Sequence, residues 1–304
     1  MTALALVWVA AAALSGSNDQ GDLQVRLDGS ALLTGRMARF VVQSTSSPIR
    51  SLTGALDGRR TIAVQASADG KTWLALAAVN VEAKVQPVRF ALAAVLEDGS
   101  ELAYDESIAI VQASYDQREL SVSQKFVKPS RKQKRRAARE AAALEKVLAV
   151  ASAARLWRGS FAQPTAGAET SPFGTLRTYN GKKKSRHLGL DLDGRTGDAI
   201  VAANGGRVLL ASERFYSGGT VVVDHGEGLL TLYFHMSRID VKPGDVVVKG
   251  QGLGLLGATG QVTGPHLHFA VRFAGLYQDP RYVLTLDLAS DTADVAATQP
   301  AGPG

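Results

Sequence analysis

Two of the chain's five histidines stand one residue apart in the apolar run GPHLHFAVRF, residues 264–273. Side chains on a strand alternate between faces, so His266, His268, Ala270 and Arg272 would share one face and Leu267, Phe269, Val271 and Phe273 the other. The same alternation applied to RHLGLDLDG puts His187, Gly189, Asp191 and Asp193 on one side and Leu188, Leu190 and Leu192 on the other. In TLYFHMS it sets Thr231, Tyr233 and His235 against Leu232, Phe234 and Met236. Each segment thus carries one apolar face for a core and one face bearing His or Asp. An antiparallel sheet can gather such faces over a single groove.

Two histidines and a carboxylate form a common catalytic zinc set that leaves a fourth position for water. The HxxxD spacing puts His187 and Asp191 on the same face but far apart along an extended strand, so a bend is needed, and Gly189 between them permits one. The third ligand would come from the His266/His268 pair, one member binding metal and the other left free for proton transfer. Asp193 shares the face of Asp191 and competes with it for the metal. The DxDG pattern also hints at calcium, but the remainder of an EF-hand loop is absent. His225, in Asp224-His225-Gly226, reads as part of a turn with a structural role. The chain has no cysteine, which excludes disulfides, thiolate metal sites and cysteine nucleophiles and leaves metal binding to histidine and carboxylate.

The elements that must position these groups fall into two β-rich regions. A length of 304 residues suits two domains, and 45% hydrophobic residues suit a globular chain. Residues 18–125 read as a small antiparallel β-sandwich, with short strands such as ARFVVQS and VRFALAAVL separated by Asp-Gly and Gly-Ser turn signals. Residues 126–159 read as a basic helical linker, opened by Pro129 and an N-capping Ser130, with one long helix through RKQKRRAAREAAALEKVLAVASAARLW. Residues 160–287 return to strands and glycine turns, and 288–304 form a small, polar, disordered tail. The fold class expected is therefore mainly β: a sandwich, a linking helix and an antiparallel sheet with an open groove.

At the amino terminus, the apolar run Ala3–Leu14 is shorter than the roughly 20 residues of a membrane span. With the small residues that follow, it fits a signal segment over 1–17, although no Lys or Arg precedes it. The net charge of +6 is concentrated in SRKQKRRAARE. That run suits a solvated helix face. Contact with nucleic acid is the other reading of it, and neither interleaved aromatic residues nor a nucleic-acid motif accompanies it.

The segments SRHLGLD, VVVDHGEGLLTLYFHMS and VKPGDVVVKGQGLGLLGATGQVTGPHLHFAV together closely resemble the lysostaphin-like (LytM, M23) zinc metallopeptidases, over roughly Ser171 to Pro280. The resemblance implies Zn²⁺ held by His187, Asp191 and His268, with His235 and His266 assisting catalysis. It implies a strand-built groove, with Arg177 and Asn180 of SPFGTLRTYNG at its border. The implied activity is hydrolysis of stem or cross-link peptides of bacterial peptidoglycan, with metal-activated water as nucleophile. It further implies an exported protein of the periplasm or cell envelope, and a regulatory partner acting through the amino-terminal domain. Met236 stands where the family usually has leucine, a volume-conserving change. The basic GKKKSR beside His187, with Lys182 and Lys184, reads either as an exposed loop or as an attraction for peptide carboxylates. The rival reading is a regulatory protein that has lost its ligands, and the complete ligand set speaks against it.

Overall fold

The computed structural model describes residues 22–29, 31–150 and 152–285, so the signal segment expected over 1–17 and the tail expected over 288–304 lie outside the described residues. The amino-terminal region is two facing sheets. One runs Leu23–Leu27, Ala38–Ser44, Thr72–Ala77, Ile62–Gln65; the other runs Leu32–Leu33, Glu101–Val111, Pro87–Leu96, Ile49–Leu56, Arg59–Arg60. Alternation buries one face of Pro87–Leu96, where Val88, Phe90, Leu92, Ala94 and Leu96 point inward. The rings of Phe40 and Phe90 stack at 3.8 Å between centroids across this core. The sheets are antiparallel apart from the pairing of Leu32–Leu33 with Ile110–Val111.

The other face of the smaller sheet is apolar too. Ile62, Val64, Leu74 and Leu76 join the core of the carboxy-terminal region, with Leu190, Tyr233, Leu267, Phe269 and Val271. The two regions are therefore joined by a shared apolar core. A second link is the strand Gln117–Leu120, which pairs parallel with Leu176–Tyr179, itself antiparallel to Lys183–Arg186. Residues 117–120, placed by sequence in the sandwich, thus complete a sheet of the carboxy-terminal region.

The helix Arg131–Leu148 begins with a capping box, Ser130 and Gln133 each bonding the other's backbone N–H. It ends well before Trp157, short of the expected length. Beyond it, Ser152 bonds the Asp224 carboxylate through both N–H and Oγ, and Trp157 is buried. Burial of that indole in the core draws the chain off the helix axis despite the favourable helix formers.

The main carboxy-terminal sheet runs Glu169–Ser171, Leu190–Asp193, His266–Phe273, Leu229–Met236, Gly218–Asp224, Gly206–Arg214, Val246–Val247. One face is core. The other is covered at one end by Leu144 and Leu148 of the helix, packed on Val222, Leu230, Leu232 and Ala270. At its opposite end the same face carries the histidines.

Candidate metal centre

The strand Leu190–Asp193 pairs with His266–Phe273 so that Asp191 lies opposite His268 and Asp193 opposite His266. Leu190, Leu192, Leu267 and Phe269 enter the core, as the alternation requires. His187 departs from its expected place. It is not on the strand but in the irregular link between Lys183–Arg186 and Leu190–Asp193, and the bend at Leu188–Gly189 brings its ring back over Asp191. His187 Nε2, Asp191 Oδ1 and His268 Nδ1 form a triangle with sides of 2.9 Å. His187 and Asp191 are buried, whereas Asp193 is exposed, and this separates the two candidate carboxylates.

His235 reaches the same place by a different route from strand alternation. Thr231 and Tyr233, expected to share its face, point into the core, where the Tyr233 hydroxyl accepts from Ala203 N–H. Gly219 pairs with Met236 and Val221 with Tyr233, so Phe234 and His235 together oppose the single residue Thr220. This is a β-bulge, with His235 at φ +66. The extra residue turns His235 towards His266, 4.9 Å between centroids, and leaves Met236 in the core. On the same side, Phe234 lies parallel to the His268 ring at 5.2 Å.

Backbone carbonyls fix the tautomers. His187 Nδ1 donates to Pro172 O, His235 Nδ1 to Thr259 O and His266 Nδ1 to Gly264 O, at 2.8, 2.8 and 2.9 Å. In the neutral ring this leaves Nε2 with its lone pair, as in the outer-shell arrangement of metal-ligating histidines. In the triangle this sets the lone pair of His187 Nε2 against Asp191 Oδ1. Two acceptors at 2.9 Å are satisfied only by a cation or proton between them, so the donor set fits a metal ion.

Burial pushes the Asp191 carboxyl up, but its close contacts with the His187 and His268 rings outweigh it and hold the group well below the usual carboxylate range. The other Asp191 oxygen accepts from Arg177 Nη2, which also donates to Ser171 Oγ. Burial lowers His268 to about 4. Burial, followed by the nearby His268 and His266, lowers His235 to about 3. These imidazoles are neutral at pH 7. His266 Nε2 lies 3.8 Å from Asp191 Oδ1, beside the triangle.

A cleft of about 270 Å³ is lined by Asp191, His235 and His266 together with Arg118, Leu120, Val122 and Gln261, and His187 and His268 line a second cleft that shares Arg177, Tyr179, His235 and Gln261 with it. Arg118, Leu120 and Gln261 were not singled out from sequence. No periodicity marks the first two, because their strand becomes part of the site only by pairing across about 60 residues with Leu176–Tyr179. Asn180 does not border the cleft. Its side chain bonds both N–H and C=O of Val122 and so clips the cleft wall in place. His225 is fully buried between Gly205 O and Thr231 Oγ1, in a structural role.

Residues 185–280 match the profile described as Peptidase family M23. The chain is 39% identical over 94 residues to peptidoglycan DD-endopeptidase ShyA of Vibrio cholerae, covering 31% of this chain and 22% of that protein. To ShyC of the same organism it is 40% identical over 108 residues, covering 36% and 25%. The chain thus spans about a quarter of the length of the curated relatives it matches. A solved structure from Pseudomonas aeruginosa, described as a peptidase M23, is 26% identical with a TM-score of 0.62, over 83% of this chain and 94% of that one. The match to peptidase family M23 thus covers residues 185–280, about a third of the chain, and that stretch holds His187, Asp191, His235, His266 and His268.

Proposed function

We propose that the chain is a zinc-dependent endopeptidase that hydrolyses peptide bonds of bacterial peptidoglycan. The observation that carries this reading is the 2.9 Å triangle of His187 Nε2, Asp191 Oδ1 and His268 Nδ1, with His235 and His266 beside it, each held by a backbone carbonyl at Nδ1. The peptidoglycan DD-endopeptidases among its relatives support the substrate class. A zinc ion held by the three residues would supply Lewis acidity, lowering the pKa of water and polarising the scissile carbonyl.

The chain's own groups account for the proton. Water adding to the carbonyl carbon must lose a proton, and the Nε2 atoms of His235 and His266 are the free bases facing the cleft. The imidazole that takes the proton becomes the acid that protonates the leaving amine as the C–N bond breaks. Thr259 O and Gly264 O hold both rings in the tautomer that can accept. Arg177 holds the second Asp191 oxygen, which keeps Oδ1 turned to the centre. The wall substrate lies outside the cytoplasm, so this activity requires export. The helices of the described residues include none long and apolar enough to cross a membrane.

Metal analysis of purified protein and its variants tests the reading. Zinc should be stoichiometric in the wild type and lost in His187→Ala, Asp191→Ala and His268→Ala, but kept in Asp193→Ala. Full occupancy in His268→Ala would overturn the ligand set.

A further inference from the structure

The Arg131–Leu148 helix carries a row of cations for which the site chemistry gives no use. Arg131, Arg135 and Arg139 follow one another at four-residue spacing, with Lys132 and Lys134 beside them, and all are exposed. None of these cations has an ion-pair partner among the described residues, whereas Arg136 is paired with Glu140. The opposite face of the helix is the packed one. Gln133, Ala137, Glu140, Leu144, Val147 and Leu148 are its half-buried or buried positions, and Leu144 and Leu148 sit on Leu230, Leu232 and Ala270. The arginine row therefore points straight away from the protein.

Its location relates it to the cleft. The helix lies on the same sheet face as His268, since His268 and Ala270 alternate in step on one strand. Glu140 accepts from Phe215 N–H, and its backbone carbonyl accepts from Arg214, at the end of the strand that pairs through Gly218. Gly219 in turn pairs with Met236, next to His235. The cation-bearing half of the helix thus lies towards the site end of the sheet. The row spans about 12 Å at 1.5 Å per residue.

We propose that this helix face is an electrostatic docking surface for the polyanionic peptidoglycan network, engaging stem-peptide carboxylates and holding the cleft against its substrate. The proposal rests on the reading of the chain as a peptidoglycan endopeptidase. A bilayer fits less well, because the apolar side of the helix is already packed on the sheet and the outward side offers only alanine between the cations. Neighbouring cations facing one polyanion raise local concentration and encounter rate in a salt-dependent manner.

The test is co-sedimentation of the full chain with purified sacculi, alongside kinetics on a soluble stem peptide. Wild-type binding should fall about tenfold between low and high salt. A triple Arg131→Gln, Arg135→Gln, Arg139→Gln variant should bind sacculi about tenfold more weakly at low salt, with kcat on the soluble peptide unchanged. Equal sedimentation of variant and wild type would overturn the proposal. So would undiminished wild-type binding to sacculi with amidated carboxylates, or tighter binding to anionic vesicles or duplex DNA at matched charge. A wild-type chain that fails to cut the soluble peptide would instead overturn the enzymatic reading, whatever sediments.

Discussion

Gly189 and the His268 ring occupy adjoining space: a Cβ at Gly189 would lie 2.5 Å from His268 Nε2 and 2.7 Å from Phe269 O. The absent side chain is what lets the chain bend between His187 and Asp191 while the third ligand closes over it.

Gly189→Ala should therefore lose metal while keeping the fold. The ring and a backbone carbonyl both stand in the way, so the ligand triangle must open. Metal content should drop well below that of wild type, with an unchanged far-ultraviolet circular dichroism spectrum. Retention of full metal content would show that the glycine is not needed for ligand closure.

His235→Ala and His266→Ala should keep their metal and lose about 10²–10⁴-fold in kcat, the usual range for general acid–base groups. Steady-state kinetics on a soluble peptide, with metal content measured on the same samples, separates the two effects. Wild-type turnover in either variant would remove that histidine from proton transfer.

Much of this centre was legible in the sequence, because period-2 alternation places Asp191, His266 and His268 as the structure does. His187 and His235 were legible as participants but not in position. His187 enters from a bend outside the strand, and His235 from a bulge at positive φ, where two residues face Thr220 and the period breaks. Alternation cannot anticipate an extra residue. The cleft wall from Arg118 to Val122 was hidden for another reason, since its pairing with Leu176–Tyr179 is long-range and leaves no local pattern. The core joining the two β regions was hidden similarly, because Ile62, Val64, Leu74 and Leu76 read equally well as the inner face of a sandwich.

His225 predicts an acid-sensitive fold. Burial lowers its folded-state pKa to about 4, against roughly 6.5 when unfolded. The unfolded chain then binds more protons between these values, so stability is full above about pH 6.5 and is lost as pH falls towards about 4. This one group accounts for about 2 kcal/mol between pH 7 and pH 5. Denaturant titrations of wild type and His225→Gln at the two pH values check it. The variant should be less stable at pH 7 yet lose less on acidification, and identical pH slopes would contradict the assignment.

Mass spectrometry of fragments released from purified peptidoglycan tests the central claim most directly. Wild-type protein with its metal should release fragments carrying a new amino terminus and a new carboxyl terminus within the peptide moieties, leaving the glycan strands whole. The chelated protein and His268→Ala should release none. Intact peptides after exhaustive digestion, or the same fragments from His268→Ala, would contradict the account.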